Sequence, residues 1–158
     1  MKLLEAIRSA STDADFAQAR ALFEEYAAGL GIDLCFQGFS QELDTLSRMY
    51  GPPRGVLLLA ETEDSLAGCV AVRPIDAAIC ELKRLYVRSA CRGTGLGRRL
   101  TETALQAARD LGYKRIRLDT LPQMQAAQRL YEDLGFQDIP AYYGEPIAGQ
   151  RFMEAILT

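Results

Sequence analysis

A chain of 158 residues, 25% charged and 49% hydrophobic, has the composition of an ordinary soluble globular protein and can bury roughly 70% of its unfolded surface, so residues 1–158 read as one domain. A formal net charge of −3 leaves no excess of cations to neutralise phosphates and argues against nucleic acid as a partner. No run reaches the roughly 20 apolar residues of a membrane span, and the complete lack of histidine excludes every histidine-based triad and speaks against a zinc or other metal site.

The start, "MKLLEAIRSASTDADF", carries acidic residues where a signal peptide needs an apolar core, so the chain reads as cytoplasmic. Cys35, Cys69, Cys80 and Cys91 are far apart and read as reduced, mostly buried thiols. "LLEAIRS" serves as a first strand. A helix follows with Ser11 or Thr12 as N-cap, Phe16, Ala19, Phe23, Tyr26 and Leu30 on one face, and Gly31 to end it. A second helix fits "SQELDTLSRMY", stopped by "GPPRG". "VLLLA" and "LAGCVAVR" flank the turn "ETEDS" as a hairpin. "CELKRLYV" reads as a half-buried strand. The next helix runs to Gly112 with Leu96, Leu100, Ala104, Ala107 and Leu111 at helical spacing. "KRIRLDT" is a strand, "PQMQAAQRLYEDLG" a helix from near Pro122 to Gly135, and strands around "FQDIPAYY" and "RFMEAIL" complete the series. Seven strands and four helices in this order describe an α/β (α+β) fold with a mixed sheet and helices packed over it.

Between the "CELKRLYV" strand and its helix stands "CRGTGLGRRL". Three glycines at alternate positions remove every Cβ from one side of a turn, and two arginines sit in a first helical turn, where acidic residues are normally preferred. A bound anion resolves that conflict, because free N–H groups, the helix dipole and the guanidinium charges then act together. A Rossmann fingerprint does not fit, since the sixth position from Gly93 is Arg98, and no P-loop pattern occurs anywhere.

"LYVRSACRGTGLGRRL" resembles the acetyl-CoA signature of the GNAT N-acetyltransferases, [Q/R]-x-x-G-x-[G/A] between a long strand and a helix. The block "LDTLPQMQAAQRLYEDLGF" is similar to the family's second motif at Ala127, Leu130, Tyr131, Gly135 and Phe136. Together they cover about Cys80 to Phe136. The resemblance implies a GNAT-like, mostly antiparallel sheet of about seven strands flanked by about four helices, acetyl-CoA as cosubstrate, and transfer of its acetyl group to a primary amine through a ternary complex. It places the pyrophosphate on Arg92, Gly93, Thr94, Gly95, Leu96, Gly97 and Arg98, and the pantetheine arm on the main chain of Leu85, Tyr86 and Val87, between two strands that splay apart. Many relatives carry an asparagine seven residues before the tyrosine; this chain has Met124 there, and that contact is not carried over.

For catalysis the resemblance makes Glu81, eleven residues before Arg92, the candidate base, Tyr131 the candidate acid and the Val87 N–H the oxyanion donor. Each has a plain structural alternative: an ion pair of Glu81 with Lys83 or Arg84, and core packing for Tyr131. A covalent route through Cys80 or Cys91 lacks an imidazole partner, and a positioned amine needs no such intermediate. Phe36, Gln37, Phe39, Tyr142 and Tyr143 are the candidate acceptor-binding residues. Chain length favours a small-molecule amine over a protein acceptor, with a homodimer left open. The alternative function is an acyl-CoA-binding sensor without turnover.

Overall fold

Side-chain alternation along the central strands sets up two cores, one on each face of the sheet. The computed structural model describes residues 4–30 and 38–157. In chain order these form β1 (Leu4–Ser9), α1 (Asp13–Leu30), α2 (Phe39–Asp44), α3 (Leu46–Met49), β2 (Val56–Thr62), β3 (Leu66–Pro74), β4 (Ile79–Val87), α4 (Leu96–Asp110), β5 (Arg115–Thr120), α5 (Gln125–Asp133), β6 (Gln137–Ile139) and β7 (Arg151–Ile156). Leu57, Leu59, Cys69 and Ala71 point to one face, where Ala19, Leu22 and Phe23 of α1 cover them together with Leu46 and Tyr50. Their neighbours Leu58, Ala60, Val70 and Val72 point to the other face, under Leu96, Leu100, Ala104, Leu105 and Ala108 of α4. Strands covered on both sides have no polar face, and "VLLLA" and "AGCVAV" are accordingly apolar throughout.

The α1 start is a reciprocal cap. Thr12 Oγ1 accepts the Asp15 N–H at 3.1 Å, and the Asp15 carboxylate accepts the Thr12 N–H at 3.2 Å. Arg8 donates twice to the same carboxylate, at 2.9 and 2.8 Å, and holds its pKa well below the usual range.

The seven strands form one sheet in the order β1-β2-β3-β4-β5-β7-β6. Every neighbouring pair is antiparallel except β4 and β5, which run parallel. That parallel pairing is short. It joins Ile79 to Arg115, Cys80 to Ile116 and Glu81 to Arg117 and then stops, although β4 continues to Val87 and β5 to Thr120. The two strands therefore separate beyond Glu81. On its other side β4 carries a bulge against β3, where the register shifts between Cys69 and Ala71 and Arg84 takes a φ of 59°. The Arg84 guanidinium is buried and held by both oxygens of Glu42 on α2, at 2.8 and 2.7 Å.

Three expectations change. The second helix is two short ones, α2 and α3, separated at Thr45, so the described residues form five α-helices where four were expected. The helix expected from Pro122 starts at Gln125. The strand expected over "FQDIPAYY" is only Gln137–Ile139, because Pro140 cannot donate to a ladder, and Tyr142 and Tyr143 consequently lie in the loop leading to β7. Among the described residues, no helix is long and apolar enough to cross a membrane. Cys69 and Cys80 are buried free thiols and Cys91 is half-buried; Cys35 and Gly31 lie outside the described residues.

Candidate active site

The gap between β4 and β5 opens into a cavity of about 370 Å³, within the usual size of small-molecule sites. Its floor is β4 from Leu82 to Val87. The end of β5 contributes Asp119 and Thr120, α1 contributes Tyr26, and α5 contributes Ala127, Leu130 and Tyr131. Arg92 and Gly97 close the end nearest α4.

Main-chain geometry gives this floor its chemistry. The Arg88 N–H donates to the Ala67 carbonyl at 2.8 Å, and Val87 lies opposite Gly68. Val87 is therefore in a non-hydrogen-bonded antiparallel pair, and its N–H and C=O face away from β3, towards the side that β5 has vacated. The carbonyl accepts a hydrogen bond from Arg92 Nε at 2.9 Å. The N–H is left facing the cavity. Tyr86, paired with Cys69, is next in the alternation and turns its peptide groups to β3, so the main-chain contact expected of it does not fit. The Tyr86 ring still lines the cavity, as does Leu85.

Gly93 and Gly95 have φ of 77° and 82°, the left-handed region in which a side chain is strained. Gly95 is the N-cap of α4 and no side chain caps it, so the first-turn N–H groups have no partner within the helix. Gly97 differs: it has an ordinary φ, and an added Cβ would sit 3.9 Å from Val87 and 4.0 Å from Leu130, an ordinary contact. The protein's own packing does not require glycine there. Thr94 Oγ1 is engaged by the Cys91 carbonyl at 2.7 Å, Arg98 points along the helix to Glu102 at 3.7 Å, and Leu96 turns its side chain into the core and offers only its backbone.

Tyr131 is 5% exposed and lines the cavity, and its hydroxyl makes no hydrogen bond among the described residues. Burial pushes its phenol well above the ordinary value. Glu81 is fully buried just below the cavity floor and does not line it. Its Oε1 accepts from Arg73 Nε at 2.8 Å and its Oε2 from the Tyr142 hydroxyl at 2.5 Å, with Lys83 Nζ 4.0 Å from Oε1. The expected pairing with Lys83 is thus only a distant one, and Arg84 belongs to Glu42.

Tyr142 and Tyr143 pack edge-on against each other and against Phe152, and the Arg117 guanidinium lies 5.3 Å above the Tyr142 ring. Phe39 lies under Arg84 at 5.3 Å. None of Phe39, Tyr142 and Tyr143 lines the cavity; Phe36 and Gln37 lie outside the described residues. The residues that sequence reasoning missed are Lys83 and Asp119, both in the lining. A charge inside the apolar strand "CELKRLYV" was the available signal for Lys83.

Comparisons with known proteins identify the family. Residues 19–136 match the Acetyltransferase (GNAT) family. The chain is 42% identical over 141 residues to the uncharacterized N-acetyltransferase C1271.07c of Schizosaccharomyces pombe, covering 88% of this chain and 86% of that protein. An acetyltransferase of Streptococcus agalactiae shares the fold with a TM-score of 0.78 at 24% identity, over 96% of this chain and 97% of that one. So does an aminoglycoside 6'-N-acetyltransferase solved with coenzyme A, with a TM-score of 0.72 at 18% identity and 98% of each chain covered. Matched over most of its length by the family, and over nearly all of it by a named relative, the chain belongs to the GNAT acetyltransferases and is an acyltransferase.

Proposed function

We propose that the protein transfers the acetyl group of acetyl-CoA to the primary amine of a small acceptor, by direct attack in a ternary complex. The observation that carries this reading is the Val87 N–H, turned into the cavity with no strand partner, between the glycine loop and the charged end at Lys83 and Asp119. The first-turn N–H groups of α4, with Arg92 and Arg98, receive the pyrophosphate. Main-chain groups of Val87 and Leu85 then pair with the pantetheine arm as an added strand would. A structural neighbour with this fold binds coenzyme A.

Acetyl-CoA supplies the thioester, whose carbon–sulfur bond breaks as the new carbon–nitrogen bond forms. The Val87 N–H stabilises the oxyanion. Glu81, just beneath the cavity floor with its Oε2 already accepting from the Tyr142 hydroxyl, is the end point for the amine's proton, which reaches it through water because neither residue lines the cavity. Tyr131, protonated at neutral pH like any phenol and moved further from ionisation by burial, donates its proton to the departing sulfur. A covalent acyl-cysteine route is disfavoured: Cys80 and Cys91 do not line the cavity, and burial pushes the Cys80 thiol up to about 12.

Incubation of the protein with acetyl-CoA and a panel of primary amines, followed by free thiol, is expected to give amine-dependent release of coenzyme A. A melting shift with acetyl-CoA and no release with any amine would instead support an acyl-CoA sensor.

A further inference from the structure

The charged groups of the cavity are unequally satisfied. At the loop end Arg92 donates to the Val87 carbonyl and lies 5.9 Å over the Tyr86 ring. The Arg84 charge is met by the bidentate Glu42 carboxylate. Lys83 is different. Its side chain is 9% exposed, it lines the cavity, and its Nζ makes no hydrogen bond among the described residues. The nearest carboxylate oxygen, Glu81 Oε1 at 4.0 Å, already accepts from Arg73, and the other oxygen accepts from Tyr142. Loss of hydration pulls the Lys83 pKa down, against the opposing charge of Glu81. A buried ammonium without an acceptor is costly, and a ligand anion removes that cost.

Which anion belongs there follows from position. Across the bulge Lys83 lies opposite Ala71 and Val87 opposite Gly68, three residues apart on β3, which is about 10 Å at the usual strand rise. The pyrophosphate site at the glycine loop lies beyond Val87, so Lys83 is out of its reach. The anion must come from the acceptor. Asp119 supplies the complementary group: it lines the same cavity, accepts a hydrogen bond from Gln150 Nε2 at 3.0 Å, and acts on Lys83 only at a distance, without direct contact. A cation and an anion that front one cavity without pairing suit a ligand carrying both charges.

We propose that the acceptor is an amino acid or a close derivative, its carboxylate bound by the Lys83 ammonium and its amine received at Asp119. This rests on the acyl-transfer reading above and narrows its substrate class. A simple monoamine leaves Lys83 without an anion, and a polyamine adds like charge beside it. A carboxylate forms a charge-assisted hydrogen bond with the ammonium and fixes the amine end of the molecule in the cavity.

The test compares α-amino acids with their carboxamides as acceptors for acetyl-CoA, and compares N-acetyl-amino acids with N-acetyl-amino acid amides as ligands of the coenzyme A-bound protein, read by melting temperature. The wild type should favour the carboxylate form of each pair at least tenfold. Lys83→Met, of similar length but uncharged, should lose that preference while keeping its melting shift with acetyl-CoA, and Lys83→Arg should keep much of the preference. Turnover of amines by the wild type with no carboxylate preference, or the same preference in Lys83→Met, overturns this proposal and leaves the acyltransferase reading standing. A wild type that neither binds acetyl-CoA nor releases thiol overturns both.

Discussion

Glu81→Gln should lower turnover by about 10²–10⁴-fold at neutral pH, the range for loss of a positioned base. The amide keeps the volume of the carboxylate and can still meet Tyr142, but it removes the charge facing Arg73 and Lys83, so the variant should also be less stable, and turnover is compared with acetyl-CoA saturating at a temperature where it stays folded. What disappears is the end point of the proton path. The defect should shrink as pH rises, because more of the acceptor then arrives as the neutral amine and the missing base is needed less. Tyr131→Phe offers the contrast. It slows departure of the thiolate without touching the amine's ionisation, and a thiol pKa near about 8.5 means the sulfur leaves fairly well unaided, so the loss should be smaller and should not recover at high pH. Wild-type kcat/KM for Glu81→Gln from about pH 6 to 9 would remove Glu81 from the proton path.

Glu42→Gln should destabilise the fold by about 3–5 kcal/mol, the usual effect of removing one partner of a buried ion pair. At this chain length that corresponds to a fall in melting temperature of about 6–20 °C. The side chains of Glu42 and Arg84 are 2% and 4% exposed, so water cannot replace the lost carboxylate. Arg84 also carries a strained φ of 59°, a conformation that persists only where surrounding contacts enforce it. Burial pushes the Glu42 carboxyl up, but the hydrogen bonds and charge of Arg84 outweigh this and hold its pKa below the ordinary value. A carboxyl depressed in the folded state contributes stability above its unfolded pKa, near about 4.3, and loses it as pH falls through the folded value. The stability gap between wild type and Glu42→Gln should accordingly narrow in acid. An equal gap at neutral and acidic pH would mean that packing, and not charge, sets the difference. Because the bulge at Arg84 immediately precedes Leu85–Val87, the variant should also bind acetyl-CoA more weakly.

The two blocks that announced the family are local in sequence. Alternate glycines before a helix, and the spacing of Leu130, Tyr131 and Phe136, encode their chemistry within a few residues, so the loop and the cavity wall were legible before any coordinates. Partnerships across the chain were not. Glu81 and Tyr142 are 61 residues apart, and Glu42 and Arg84 are 42 apart; composition and periodicity say nothing about such pairs. The separation of β4 from β5 is equally invisible, because both strands carry ordinary strand patterns and only their pairing ends early. In the sequence Lys83 stands out only as a possible partner for Glu81. Its meaning depends on the strand that leaves its side.

The acyl-CoA site itself is best tested at Gly97, by melting wild type and Gly97→Ala with increasing acetyl-CoA. The new methyl group makes only ordinary contacts with Val87 and Leu130, and alanine within a helix adds about 0.5–1 kcal/mol relative to glycine, so the free variant should melt at or above the wild-type temperature. The wild type should gain about 2.7 kcal/mol at a hundredfold excess of acetyl-CoA over its dissociation constant. Gly97→Ala should need at least ten times more ligand for the same shift, since its methyl occupies the surface over which the bound molecule passes. Equal shifts for the two proteins at every concentration would place acetyl-CoA somewhere other than the cavity between β4 and β5.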